Sequence, residues 1–171
     1  MLTESYEKNL TAIKNLLEPD KSFDLIERKI TLNNHKAVMF FADGLTKDEI
    51  VEKLMEFFYK NTKDSFFESA DTFAACCVPY IEVETTGDEE KITTDILSGV
   101  CALVVEGFDK AILLDTRTYP QRETSEPEND KVLRGSKDGF VETIRTNTSL
   151  VRRHLRSPML RLEETKVGRR S

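Results

Sequence analysis

With 171 residues, the sequence is long enough for one ordinary domain but not for two, because compact domains typically hold ~100 to 200 residues. Apolar residues make up 39% and charged residues 33%, and the longest apolar runs fall far short of the ~20 residues that a membrane helix needs, which excludes a spanning segment here. The net charge of −6 is unevenly distributed along the chain. Residues 1–130 carry 14 basic and 27 acidic side chains, whereas residues 131–171 carry 11 basic and 4 acidic ones. We therefore expect the C-terminal quarter to face an acidic surface of its own domain or of a partner.

The N-terminal third predicts one helix followed by a hairpin. Apolar residues at spacings of four and three indicate an amphipathic helix over 4–17, which Pro19 would stop. Alternating apolar and polar residues over 23–32, an asparagine pair, and a wholly apolar run over 37–42 then indicate two strands joined by a tight turn. The second strand is expected to be central in a sheet.

The middle of the chain predicts a well-defined helix and then an ambiguous segment. Thr46 and Glu49 have the spacing of a capping box, and the apolar face that follows favours a helix over 47–60 that packs across the sheet. The phenylalanines and small residues of 61–78 suit a buried helix that Pro79 ends.

Two further strands are predicted to form a second hairpin. Residues 81–86 alternate as a strand and residues 88–97 read as a helix with acidic residues in its first turn. Runs over 100–106 and 110–117 flank a glycine-containing turn and look buried. The polar, proline-containing segment 120–130 is typical of a loop.

A basic helix is predicted over 138–156, with Pro158 beyond its end. An apolar stripe and an arginine stripe lie side by side on it. The stripes consist of Phe140, Ile144, Val151 and Leu155, and of Arg145, Arg152 and Arg156. The apolar stripe is either a core face with solvated or internally paired arginines, or a docking face for a partner protein or for anionic lipid headgroups. Nucleic acid is disfavoured, because the domain is acidic overall and its basic residues are not interleaved with aromatic ones.

The inventory of reactive side chains predicts no catalytic, cofactor-binding or metal site, and therefore no enzyme. The only histidines, His35 and His154, have no partners at metal-ligand or triad spacing. The cysteines Cys76, Cys77 and Cys101 are read as small buried residues in a reducing compartment. The polar, acidic N-terminus does not resemble a secretory signal.

The turn at 134–139 leaves a second interpretation open. Its two glycines and the helix that follows could present backbone N–H groups to an anion, although the spacing matches neither a P-loop nor a dinucleotide fingerprint. A free-standing regulator that binds a small anion or an amino acid there is the alternative function, and a plain helix-capping turn is the simpler reading.

Three motifs make the chain resemble a known family. They are Arg117–Pro120 followed by Glu126-Pro127, then Lys131–Phe140, and then Asn147–Arg153 with Val167–Arg170. They are similar to the cytosolic N-terminal region of the A subunits of spore germination receptors of the GerA type, a family that includes SpoVAF-like proteins.

The resemblance implies the domain organisation. A subunits of this family carry two small α/β subdomains before a bundle of membrane helices. Residues 1–130 would be the first α/β subdomain, and residues 131–171 would be a basic helix with a connecting tail. The second subdomain and the membrane region are missing, so the chain is expected to be a fragment or the product of a truncated gene.

The resemblance also implies a function. We expect a mixed α/β domain, with a small hairpin-containing sheet, packed helices and a basic C-terminal helix, that takes part in receptor assembly and signal relay on the cytosolic side of the spore inner membrane. Its partners would be sister receptor subunits and the missing membrane region, with an anionic lipid surface as a further partner. The candidate interaction residues are Arg117, Arg134, Arg145, Arg152, Arg153 and Arg156.

Overall fold

The computed structural model describes residues 1–61, 63–119, 139–165 and 167, which form five helices and five strands. The helices are α1 (Tyr6–Leu17), α2 (Asp48–Asn61), α3 (Ala70–Cys77), α4 (Glu89–Leu97) and α5 (Ile144–His154). The strands are β1 (Leu25–Leu32), β2 (His35–Ala42), β3 (Val83–Thr86), β4 (Cys101–Val105) and β5 (Ala111–Leu114). This confirms the predicted mixed α/β fold class.

All five strands form one antiparallel sheet in the order β1-β2-β4-β5-β3. The chain turns between β1 and β2 at Asn33 and Asn34, whose φ angles are 45° and 71°. Two-residue hairpin turns need this left-handed conformation, and asparagine tolerates it better than most residues. β4 and β5 also pair antiparallel, so both predicted hairpins are present. β2 has a neighbour on each side, as predicted.

The sheet is covered by helices on both faces. On one face α1 and α4 pack their apolar residues, among them Ile13, into a core layer that contains Phe40 of β2. On the other face α2 and α3 form a second layer, in which Phe73 and Met39 of β2 are buried. Successive residues of a strand point to opposite faces, so a strand that is covered on both sides is apolar at every position. This explains the unbroken apolar run of β2.

The start of α2 differs from the predicted capping box. The helix begins at Asp48, one residue later than expected, and the buried Thr46 hydroxyl donates to the carbonyl oxygen of Gly99 at 3.1 Å. The segment before α2 pairs with the chain that leaves β5, because Lys47 N donates to Thr116 O at 2.9 Å. Thr46 therefore links the segment before α2 to the turn that precedes β4.

The ambiguous segment after α2 is helical mainly in its second half. Ser69 caps α3 by accepting from Thr72 N at 3.1 Å, and α3 ends before Pro79, as predicted. The strand that follows begins at Val83 and not at the predicted Ile81, whose side chain is 98% exposed.

The basic helix is shorter than predicted, because α5 begins at Ile144 and not near residue 138. The Asn147 side chain binds the backbone of Val141 in both directions, accepting from its N–H at 2.7 Å and donating to its carbonyl at 2.6 Å. These bonds hold the described residues before α5 in a non-helical turn. The predicted domain boundary at 130/131 and the loop over 120–130 lie outside the described residues.

Candidate interaction surface

Helix α5 lies directly against the loop that follows β2. Gly44 has a φ of +77°, and a Cβ added there would lie 3.1 Å from the Cβ of Ser149. The neighbouring Asp43 carboxylate pairs with Arg145 at 3.1 Å. The loop can approach α5 this closely because Gly44 has no side chain and accepts a left-handed backbone.

A buried arginine anchors α5 to the start of β1. Arg152 is 0% exposed, and its guanidinium forms a two-pronged ion pair with the Asp24 carboxylate at 2.7 and 2.9 Å. It also donates to Ser22 Oγ at 3.0 Å and to the carbonyl oxygens of Ser157 at 3.3 Å and Leu160 at 3.0 Å. These bonds use all five N–H groups of the guanidinium, as a buried cation requires. We call this group of residues the Arg152 clamp.

The clamp also holds the chain beyond α5. The Ser22 hydroxyl donates to Asp24 at 2.7 Å and accepts from Leu162 N at 3.0 Å, while Phe23 N donates to Leu162 O at 3.0 Å. Arg161 pairs with Glu18 at the end of α1. These contacts hold the described segment after α5 against the loop that precedes β1.

The apolar side chains that the sequence placed on one stripe lie largely at the surface. Phe140 is 73% exposed, Ile144 63% and Leu155 55%, and Met159 beyond the helix is 77% exposed. We call these exposed residues, together with the half-buried Val151, the α5 face. Of the two alternatives for this stripe, a core face is wrong for Phe140, Ile144 and Leu155, and a docking face stays a prediction. The buried side of α5 instead carries Ser149, Leu150 and Arg152.

The candidate arginines are divided between this surface and internal pairs. Arg156 is exposed just after α5, Arg145 is exposed but pairs with Asp43, and Arg153 lies 4.8 Å from the centre of the Tyr119 ring. Arg152 is fully enclosed and paired within the chain, as one of the alternatives for the arginine stripe predicted, and Arg117 pairs with Asp115. Arg134, and the turn at 134–139 that was considered as an anion site, lie outside the described residues except for Gly139. The role of these arginines in binding a partner stays a prediction.

The sequence did not single out Ser22 and Asp24, the partners of Arg152. Both are polar residues immediately before an apolar strand, where a plain turn is the ordinary interpretation. The available signal was an arginine within a predicted helix, Arg152, and an acidic residue just before a predicted strand, Asp24. That signal does not indicate which of the many carboxylates the arginine pairs with.

A polar cleft of about 470 Å³ lies between β3, α4 and β5. It contains two ion pairs, Lys91 with Glu84 and Arg117 with Asp115. Burial raises the pKa of Asp95 above its ordinary value, and the negative charge of Glu84 acts in the same direction. The cations are thus already paired within the cleft.

The cysteines divide into two environments. Cys77 and Cys101 are buried, as predicted, and burial raises the pKa of Cys77 to about 11 and of Cys101 to about 12. Cys76 is exposed, so the prediction that all three are buried is wrong for this residue. No group of three or more His, Cys, Asp or Glu side chains that could hold a metal ion occurs among the described residues.

Comparison with known proteins gives consistent results. The family model for the Bacillus/Clostridium GerA spore germination protein matches residues 11–171. Stage V sporulation protein AF of Bacillus subtilis (strain 168) is 36% identical over 96% of this chain and 34% of its own length. Spore germination protein KA of the same organism is 25% identical over 98% of this chain and 31% of its own length.

A solved structure supports the fold. The N-terminal domain of the A subunit of the Bacillus megaterium spore germinant receptor GerK3 superposes with a TM-score of 0.68 at 23% identity, covering 99% of this chain and 62% of that one. The chain spans about a third of the length of the curated relatives that it matches. No helix formed by the described residues is both long and apolar enough to traverse a bilayer. On the extent of the family match, the chain belongs to the GerA family of spore germination proteins.

Proposed function

We propose that this chain is the N-terminal portion of a germinant-receptor A subunit, and that it acts without catalysis in receptor assembly and in relay of the germination signal. One observation carries the proposal: the exposed α5 face stands on a helix that the Arg152 clamp locks to the core. An exposed apolar patch on an otherwise well-packed domain typically marks an interaction site.

The clamp gives the α5 face a fixed orientation relative to the sheet. A partner that binds the face therefore contacts a rigid body that includes α1, β1 and the loop after β2, because each of these is bonded to α5 or to the residues after it. A displacement of the partner would be transmitted to the whole domain, as signal relay requires.

The expected partners are sister subunits of the receptor, at the cytosolic side of the spore inner membrane. The names of the relatives assign those proteins to spore germination. The similarity of this chain to them supports the same role here. Arginines flank the apolar patch, so an anionic lipid surface is the second candidate partner.

The proposal is tested in spores whose only copy of the gene carries Ile144→Asp and Leu155→Asp. These changes place charges on the α5 face, so we expect loss of co-purification with sister subunits and slower germination. Ile81→Asp is the matched control, because Ile81 is 98% exposed and precedes β3, the edge strand on the other side of the sheet from β1. Normal co-purification of the double variant would contradict the proposal.

A further inference from the structure

A second apolar surface lies between α2 and the sheet and shares no residue with the α5 face. It is a groove of about 490 Å³ whose apolar lining comes from Phe41 of β2 and from Val51, Met55 and Tyr59 of α2. Val51 is buried, Met55 is half-buried and Tyr59 is 54% exposed, so the groove opens to solvent towards the end of α2. We call it the α2 groove.

The apolar side of α2 extends beyond the residues that it buries. At 100° per residue, the buried Val51, Leu54 and Phe58 lie within about 60° of one another around the helix axis. Met55 and Tyr59 lie about 40° and 80° beyond Val51, on the side of the groove. Methionine and tyrosine are residue types that are enriched at protein interfaces. The helix therefore offers apolar surface to something besides its own core.

The charged side chains that line the α2 groove in the described part of the chain are all carboxylates. Asp48, Glu52 and Glu56 are exposed and follow one another at spacings of four residues, which places them in one row along the helix. Glu56 pairs with Lys60. Lys60 and Lys53 lie about 40° and 60° beyond Glu56, on the side of the row that faces away from the groove. A ligand in the groove therefore meets negative charge along α2.

The shape of the α2 groove suits a helix. It follows α2 from Asp48 to Tyr59, which is about 16 Å or three helical turns. Packed helices lie about 8–10 Å apart, which is the width of two strands, so a helix beside α2 would lie over the edge strand β1. There Ile26 is half-buried and pairs with Phe41, so both side chains point to the same face of the sheet.

We propose that the α2 groove binds an amphipathic helix that carries lysine or arginine along one flank and belongs to a protein other than this chain. The apolar side of that helix would fill the groove, and its basic flank would lie along the carboxylate row. The same row opposes anionic lipid and nucleic acid, because both would bring further negative charge to it. The inference does not depend on the proposed role of the α5 face.

Titration of the 171-residue chain with synthetic helices tests the charge and the place of binding together. The probe is a peptide of leucine and lysine, as long as the 14-residue α2, with leucine on one helical face. Its counterpart has glutamate in place of each lysine. We expect the lysine peptide to bind and to shift the backbone amide NMR signals of Phe41, Met55 and Tyr59. The glutamate peptide should bind at least about tenfold more weakly.

A pair of charge variants separates the groove from general attraction between an acidic protein and a basic peptide. Glu52→Lys with Glu56→Lys should weaken binding of the lysine peptide at least about tenfold. The control Glu90→Lys with Glu164→Lys makes the same charge change at exposed positions outside the groove and should bind like the wild type. Circular dichroism checks that both variants fold. Equal weakening by the two variants, or amide shifts away from the groove, would overturn the inference.

Photo-crosslinking in spores tests the natural occupant. With p-benzoylphenylalanine in place of Tyr59, we expect a cross-link to another protein, at a segment with helical apolar spacing and lysine or arginine on one flank. The same group in place of Lys53, beyond the carboxylate row, is the control. A cross-link to a second copy of this chain, to lipid or to a segment without that pattern would overturn the inference, and so would a yield no higher than that of the control. The α5 face is unchanged in these experiments, so their failure would leave the proposed function standing.

Discussion

Arg152 is the residue on which the geometry of the C-terminal segment depends. Removing two charges from water is costly, and the structure offsets this cost by an ion pair with two hydrogen bonds and by three further acceptors. Such a site tolerates the loss of neither partner, because the remaining charge would be buried and unpaired. The clamp therefore makes the position of α5 specific as well as stable.

Arg152→Ala is expected to lower the free energy of unfolding by about 3–5 kcal/mol, since it leaves the Asp24 carboxylate buried without its cation. Urea unfolding followed by circular dichroism measures this. Arg156→Ala removes an exposed arginine from the same segment and should change the free energy by less than about 0.5 kcal/mol. Equal effects of the two changes would argue against the clamp.

The ion pair between Asp115 and Arg117 predicts a pH dependence. The Arg117 guanidinium, which donates to the carboxylate, holds the pKa of Asp115 below its ordinary value of 3.8, although partial burial opposes this. Because the folded-state pKa is lowered, the stabilisation is fully present above pH 3.8 and is lost as the pH falls through the folded-state value.

Asp115→Asn should therefore destabilise the domain near neutral pH by about 0.2–1 kcal/mol, in the range of partly exposed ion pairs. The difference between wild type and variant should shrink when unfolding is measured at progressively lower pH below 3.8. Glu90→Asn, at an exposed position whose backbone N–H but not side chain takes part in helix capping, is the control. A difference that does not change with pH would contradict the assignment.

At the scale of elements, α5 shows what a sequence pattern does and does not determine. The sequence predicts Phe140, Ile144, Val151 and Leu155 as one helical row, but α5 contains only Ile144 and Val151 of these, because the helix spans Ile144–His154. The sequence left the direction of the stripe open between the core and the surface. The buried side of an amphipathic helix is normally the apolar one, and here the internal ion pair of Arg152 orients the helix with that row outward.

The two sides of α5 should respond oppositely to substitution. Leu150→Ala removes a buried side chain and should cost about 2 kcal/mol or more of unfolding free energy. Ile144→Ala, on the exposed side, should cost less than about 1 kcal/mol. Thermal unfolding of both variants decides this, and a larger loss for Ile144→Ala would mean that the α5 face packs within the chain.

The strands were more predictable than the helix ends. The turn at Asn33 and Asn34 and the apolar runs of β2, β4 and β5 carry strong local signals, because a doubly covered strand must be apolar throughout. The N-terminal boundaries of α2 and α5 differ from the predicted ones because of specific contacts. Before α2, the Thr46 hydroxyl bonds to Gly99, which is distant in sequence. Before α5, the Asn147 side chain bonds to the backbone of Val141. Spacing alone does not encode such contacts.

At the scale of the whole molecule, the charge asymmetry has a partial explanation. Part of the basic C-terminal quarter faces the acidic body of its own domain, since Arg145, Arg152 and Arg161 pair with Asp43, Asp24 and Glu18. This was one of the two expectations drawn from composition. Arg156, which is exposed just after α5, stays a candidate for the other, contact with a partner of opposite charge.

The family was predictable from short motifs, whereas the candidate site was predictable only in part. The motifs lie mostly in the C-terminal region, and the family match over residues 11–171 confirms what they indicated. The arginines were named from the sequence, but their division into buried and exposed residues depends on the docking of α5, which requires Ser22 and Asp24 more than 120 residues away.

Cysteine labelling tests most directly whether the α5 face is covered in the assembled receptor. Cys76→Ser removes the exposed thiol, and the buried Cys77 and Cys101 stay unreactive because burial raises their pKa values to about 11 and about 12. Ile144→Cys and the control Ile81→Cys are then labelled with a maleimide in the isolated chain and in spore membranes. We expect Ile144→Cys to be labelled in the isolated chain and to be labelled at least about tenfold more slowly in membranes, because a covered thiol reacts only when its cover opens. The control Ile81→Cys should be labelled at the same rate in both preparations. Equal labelling of Ile144→Cys in the two preparations would contradict the account.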